Sequence, residues 1–465
     1  MNPIDMEIEA QLTKDSETVN VQAKYSSKYS LWIRFPNGRT FRDGTEFNKL
    51  VLNIKGVSVD LGKCQLVSEP NIEGFAGRLI FISDVYDFKS LLTDREVVKL
   101  QSAFQNLQLV LPYKRKIKPE FKDYAADLTY DLSIYKNLFD RVDSEHEGEP
   151  DHIRSLVQKA IIYTEGRKFM EFLDDRLEEL ENIVKSFCRE EHERHGFYFR
   201  RQMWNYIMCS EFMSRTNLKP RGYSGDSAMM TMLYQNDYRG ESTFAKLMHK
   251  HPCEHPAAQA VRNRRRMIAG LLREFRRSHP PAPGERISVL SVACGSAYEL
   301  RDILATPEDC DSYHFALFDQ DRQALLEVAR WIDQREKDLQ HPISAQYLNE
   351  SVRTMLTSPQ LKGDWGQFNF IYSMGLFDYL TPPVAKGVLG KMISLLKPGG
   401  ELLVGNFHLE NPSRFYMEYW LDWVLFYRNE ADFHEMLPPD FKGEVKVMFE
   451  NTRSQMFLHL KMPVE

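Results

Sequence analysis

Apolar and polar positions change their period twice along this chain. From about Tyr25 to Leu111 the runs LWIRF, LVLNI, VSVDLG, CQLV and GRLIFIS are broken by turn residues such as PNG and KG. Short alternating runs between turns predict strands, and their density predicts a small β-barrel or sandwich over residues 1–120. The basic, proline-containing segment YKRKIKPEFKDY reads as the joint that follows. From Leu132 to Leu272 the period becomes helical: LVQKAIIYTEGRKFMEFLDDRLEELENIVKSF and PAAQAVRNRRRMIAGLLREF carry apolar residues at three- and four-residue intervals, interrupted at LKPRGYSGD. These define a helical region over 121–280, closed by the polar turn RSHPPAPGE. From 281 to 465 short apolar runs (ISVLSVA, HFALFD, ISAQYL, FNFIYSM, GELLVGNF) alternate with helical ones (RDILATP, ALLEVARWIDQRE, VAKGVLGKMISLLKPG). That alternation predicts a Rossmann-like, doubly wound parallel α/β sheet. The closing VKVMFENTRSQMFLHLKM predicts two strands joined by a polar turn, so the final strand runs antiparallel.

A length of 465 residues fits such a multi-part chain. The net charge of −6 argues against a general nucleic-acid binder. The polar, acidic N-terminus has no secretory pattern, and the most apolar segment, YMEYWLDWVLFY, is too short for a transmembrane span and carries Glu418 and Asp422. The six cysteines (Cys64, Cys188, Cys209, Cys253, Cys294, Cys310) form no CxxC pair, so neither a disulfide framework nor a metal site is expected. A cytoplasmic location follows from that usage.

Ligands of doubly wound sheets sit beyond the carboxyl ends of the strands. After the first strand of this sheet come Ala293, Cys294, Gly295 and Ser296; after the second comes Asp319 in LFDQD. A carboxylate there can accept both hydroxyl hydrogens of a ribose, and its distance from Gly295 is close to the roughly 20 residues of a dinucleotide fingerprint. Ala297 stands where close phosphate approach would favour glycine. A nucleoside ligand without a pyrophosphate fits that turn, and S-adenosylmethionine is one.

The ordered set VLSVACGSA, LFDQD, FNFIYSMGLFDYL and LLKPGGELLVGNF resembles the motifs of class I S-adenosylmethionine-dependent methyltransferases, over about Gly284 to Glu465. GLFDYL, GNFHLENPSRFYMEYWLDWVLFYR and GYSGDSAMM together are similar to bacterial enzymes that make 3-hydroxypalmitic acid methyl ester. The resemblance implies that Ala293, Cys294, Gly295 and Ser296 meet the methionine part of the cofactor. Asp319 would hold the ribose, Gln320 flank the adenine, and Asn349 or Glu350 lie near its amine. Tyr372, Ser373 and Met374 would lie beside the sulfonium and the acceptor. Ser291, Ala293, Ala297 and Asn369 depart from the family pattern, and Glu299 is a candidate for the missing charge.

The expected acceptor is a small or lipidic molecule, with the carboxyl group of a 3-hydroxy fatty acid the leading case. A carboxylate is already ionised at neutral pH, whereas an alcohol needs a base, for which His408 is the candidate beside a purely structural role. Tyr223 and Asp226, presented by the glycine-bearing kink RGYSGD, are candidates to roof the site. Tyr416, Tyr419, Trp420 and Trp423 share one face of a predicted helix, as core or as a lid over an acyl chain. Arg262 and Arg266 share another, as a carboxylate clamp or a solvated basic face. The N-terminal strands resemble a degenerate PilZ domain: Asn53 keeps the first position of the binding strand, Lys55 and Ser58 replace Ser and Gly, and no RxxxR arm precedes it. Cyclic di-GMP binding is therefore disfavoured. The rival to catalysis is a regulator that binds S-adenosylmethionine or cyclic di-GMP without turnover.

Overall fold

A computed structural model describes residues 7–27, 30–36, 39–54, 57–68, 75–82 and 114–464, and its contacts divide the chain into two compact units, Met1–Lys116 and Ile117–Glu465.

The first unit is an antiparallel sheet of β1 (Glu7–Lys14), β2 (Glu17–Ser27), β3 (Ser30–Arg34), β4 (Glu46–Phe47), β5 (Lys49–Ile54), β6 (Val57–Asp60), β7 (Cys64–Val67) and β8 (Gly77–Phe81). Their order is β4-β7-β8-β3-β2-β1-β5-β6. Strands thus begin well before Tyr25. The polar N-terminal segment conceals a period of two: Ile8, Ala10 and Leu12 are buried on β1, and Val19, Val21 and Ala23 on β2, with polar residues between. Asp15, in the left-handed region (φ 54°), turns the chain between them. The expected strand run continues past Ile82 into residues outside the described ones, and Lys55 and Gly56 of the segment compared with PilZ domains also lie outside them. Asn53 accepts a hydrogen bond from Ser58 Oγ at 2.8 Å.

In the second unit eight helices lead to a sheet. They are α1 (Pro119–Glu145), α2 (Asp151–Tyr163), α3 (Glu165–Val184), α4 (Arg189–Ile207), α5 (Glu211–Leu218), α6 (Ser227–Gln235), α7 (Thr243–Glu254) and α8 (Pro256–Ser278). Helix α1 starts inside the segment read as a joint. Its proline is tolerated in the first turn, where an N–H has no helical partner.

The sheet comprises β9 (Ile287–Val292), β10 (Tyr313–Phe318), β11 (Ser344–Leu348), β12 (Phe368–Ser373), β13 (Leu396–Phe407), β14 (Glu444–Phe449) and β15 (Gln455–Lys461). The order is β11-β10-β9-β12-β13-β15-β14. β9 to β13 run parallel, and β15 inserts antiparallel between β13 and β14. β9, β10 and β12 are buried almost throughout, as expected of strands covered on both faces. Helices α9 (Arg322–Leu339) and α10 (Pro382–Ser394) lie in the crossovers. After β13, a short helix α11 (Arg414–Tyr419) and the chain to Leu425 pack into the core of α1–α8. Helices and sheet therefore share hydrophobic contacts within one unit.

Candidate ligand site at the strand switch point

The strand order reverses between β9 and β12, and parallel strands deliver all their carboxyl ends to one edge. The turn after β9 is unusual. Ala293 (φ 56°), Gly295 (φ 54°) and Ala297 (φ 41°) all take left-handed backbone within five residues, a conformation that costs a residue with a Cβ roughly 1–2 kcal/mol. A Cβ on Gly295 would meet nothing within 4 Å, so the turn presents bare backbone to open space.

Asp319 fixes this turn to the next strand. Its Oδ2 accepts from Gly295 N at 2.8 Å and its Oδ1 from Asp321 N at 2.8 Å. Each oxygen retains a further lone pair for a ligand hydroxyl. Burial raises the Asp319 pKa above its ordinary value, partly offset by these two N–H groups and by Arg221. Asn349 donates to the carbonyls of Asp319 (3.0 Å) and Gln320 (3.3 Å), joining the ends of β10 and β11, while the Gln320 and Glu350 side chains are exposed. Cys294 is half-buried; burial, with Asp319 and Glu299, pushes its thiol pKa well up, so it remains a thiol. Ser296 is buried beside it.

On the β12 side, Ser373 is fully buried and donates to Val292 O at 2.9 Å, bracing the ends of β12 and β9. Tyr372 is equally enclosed and donates to Glu299 Oε1 at 2.7 Å. Burial raises the pKa of both partners. Tyr372 thus serves Glu299. The carbonyl of Met374 accepts from Arg264 Nη1 (2.9 Å) and Gln455 Nε2 (3.0 Å).

The kink at Gly222–Gly225 is held over the carboxyl end of β10. Arg221 donates to Asp321 Oδ2 and Glu327 Oε1, both at 2.8 Å, and to Ser227 Oγ at 2.6 Å. Tyr223 comes to lie edge-on to Tyr379 (6.2 Å between centroids). Burial, then the carboxylates of Asp319 and Asp321, raises its hydroxyl pKa, so it keeps its proton at neutral pH. Gly225 is required by contact: a Cβ there would stand 2.5 Å from the Tyr379 hydroxyl, which accepts from Trp423 Nε1 at 2.8 Å.

Several expected site residues are engaged in other ways. Asp226 caps α6 by accepting from Met229 N, and Arg215 binds both its carboxylate oxygens, at 2.8 and 2.9 Å. Arg262 donates to the carbonyls of Leu233 and Cys253, and Arg266 is exposed. His408 accepts from Glu410 N, lies 3.5 Å from Glu430 and meets Phe449 edge-on. The aromatic stripe does not share one helix. α11 stops at Tyr419, and Asp422 is turned left-handed (φ 48°), paired with Arg200 at 2.8 Å and Lys219 at 2.6 Å. Tyr416 pairs with His251 Nδ1 (2.7 Å) and Tyr419 with His192 Nδ1 (3.0 Å), and Trp420 packs edge-on against Phe199. Only Trp423 of the four meets the Tyr379 wall.

Arg264 was not singled out by sequence, yet it is the buried arginine of α8. Its signal was present: it lies in phase with the buried Val261, Ile268, Leu272 and Phe275, whereas Arg262 and Arg266 do not.

No family model matches the chain, and no curated relative matches it. Solved structures similar in fold include a "possible exported protein" from Bordetella parapertussis, at 16% identity and a TM-score of 0.39, covering 52% of this chain and 80% of that one. Magnesium protoporphyrin IX methyltransferase from Synechocystis, with bound S-adenosylhomocysteine, matches at 10% identity and a TM-score of 0.34, covering 44% and 86%. The N-methyltransferase NodS from Bradyrhizobium japonicum, in complex with the same ligand, matches at 14% identity and a TM-score of 0.30, covering 43% and 87%.

Proposed function

We propose that this chain is an S-adenosylmethionine-dependent methyltransferase acting on a small or lipidic acceptor, with the carboxyl group of a 3-hydroxy fatty acid as the leading case. The observation that carries the reading is the Asp319 carboxylate locked to the Gly295 turn at the switch point. The donor set suits a nucleoside with an amino-acid tail: a carboxylate with spare lone pairs for a ribose and open backbone at Gly295. In this reading Asp319 holds the ribose hydroxyls, Gln320, Asn349 and Glu350 border the base, and Gly295, Ser296 and Met374 border the methionine part. When bound, the cofactor supplies a methyl group activated by a sulfonium.

The chain's own contribution is alignment and exclusion of water. Tyr223, Tyr379 and Trp423 wall the acceptor side, and Tyr223, protonated at neutral pH, orients an acceptor oxygen by donating to it. A carboxylate acceptor requires no base from the protein. Calorimetric titration with S-adenosylmethionine and S-adenosylhomocysteine tests the reading. Stoichiometric binding of both is expected, weakened tenfold or more in Asp319→Ala; a folded wild type that binds neither refutes it.

A further inference from the structure

Four arginines crowd one stretch of α8, and three are satisfied or solvated. Arg265 forms a two-pronged ion pair with Asp302, Arg262 binds two carbonyls, and Arg266 is exposed. Arg264 differs. It is only 5% exposed, and among the described residues no carboxylate lies within ion-pair distance of it. Nη1 is used on Met374 O, Nη2 reaches the Met230 thioether at 3.6 Å, the Tyr234 hydroxyl stands beside the guanidinium, and Nε has no partner. The edge formed by Nε and Nη2 matches the two oxygens of a carboxylate. The nearby acids are otherwise engaged: Glu299 is bonded to Tyr372, and Asp378 accepts from Phe407 N at 2.7 Å. A guanidinium cannot shed its charge in a protein, and a buried charge with no carboxylate in ion-pair contact and part of its fork unused is disfavoured; Glu299 and Asp378 act on it only from beyond that distance. A group that completes it from outside the chain accounts for its retention.

We propose that Arg264 anchors a carboxylate carried by a ligand of the switch-point site. The guanidinium lies against Gly375, just past β12, with both Nη atoms 3.6 Å from where a Cβ would stand. Met230 touches it, and Met230 also borders Gly225, beside Tyr379 and Trp423, so the anchor stands at the end of an apolar, aromatic wall. Two carriers share the required chemistry: the amino-acid tail of the cofactor and a carboxylic-acid acceptor with an apolar body. The inference rests on the methyltransferase reading only for the first.

The test uses the full chain as wild type, Arg264→Met and Arg264→Lys. Without ligand, Arg264→Met should melt no lower than wild type, because an apolar side chain of similar length removes a buried charge that has no ion-pair partner. A fall of several degrees would mean that the guanidinium holds the fold together, and would overturn the proposal. S-adenosylmethionine and its decarboxylated form are then titrated calorimetrically, and melting is followed with octanoate and with octanol. If the cofactor is the carrier, wild type prefers the carboxylated form tenfold or more, and Arg264→Met erases the preference. If the acceptor is the carrier, that ratio survives substitution, but octanoate raises the melting temperature of wild type only, and octanol of neither. Arg264→Lys, which keeps the charge and loses the fork, should fall between. A wild type indifferent to both carboxylates overturns the proposal. Failure of S-adenosylmethionine to bind with a response to octanoate intact removes the cofactor reading and leaves the anchor standing.

Discussion

Asp378 decides between burial and two guanidinium groups, and the outcome can be measured. The side chain is 2% exposed, accepts from Phe407 N at 2.7 Å and faces Arg264 and Arg428. Burial outweighs the N–H and both arginines, so the pKa rises from an ordinary 3.8 to about 6. At 1.36 kcal/mol per pH unit, the ionised form is disfavoured in the folded protein by about 3 kcal/mol. A raised folded-state pKa gives stability that is complete below the unfolded value and is lost as pH rises through the folded value. Between about pH 4.5 and 7.5, wild type should therefore lose about 2 kcal/mol relative to Asp378→Asn, whose side chain does not titrate and whose oxygen can still accept from Phe407. Urea denaturation of both proteins across that range reads the difference. The constant offset caused by the amide cancels, as do all other titrating groups. A difference independent of pH would show that burial does not dominate. A difference of opposite slope would show that Arg264 and Arg428 hold the carboxylate ionised.

Other expectations follow from the same geometry. Ala293→Gly relieves a left-handed alanine on a half-buried turn and should stabilise the chain by about 0.5 kcal/mol after the extra unfolded-state entropy of glycine; a clear loss in chemical denaturation would contradict the strain. Asp226→Ala removes the cap of α6 and leaves Arg215 unpaired, so it should cost about 2–4 kcal/mol; the folded fraction should still bind S-adenosylhomocysteine, and selective loss of binding would assign Asp226 to the site. Tyr223→Phe should impair acceptor use more than cofactor affinity, since Tyr223 stands edge-on to Tyr379 and keeps its proton at neutral pH, and equal loss of both would place it under the cofactor.

Much of the second unit was legible because its signals are local. A strand buried on both faces must read as an apolar run, and a parallel sheet needs a crossover helix after each strand, so alternation along the chain announced β9 to β13. Chain direction then placed Gly295, Asp319 and Ser373 at one edge, since each lies at or just past the end of a parallel strand. The insertion of β15 between β13 and β14 was not legible, because a hairpin pattern gives the pairing of its own strands and not which neighbour its second strand takes. β1 and β2 were hidden by polar residues on the outward positions, although their period of two was intact.

The sequence by itself determined the elements, their β/α alternation and the residue types at the strand ends, since these depend on neighbours a few positions away. Tertiary structure decided which side chains remain available for chemistry. Asp226 is capped and paired by Arg215, Tyr416 and Tyr419 are taken into the helical core by His251 and His192, and Arg264 is left with an open edge. Those partners come from segments distant along the chain, and whether a polar group is satisfied in place or awaits a ligand depends on what folding brings within hydrogen-bond reach.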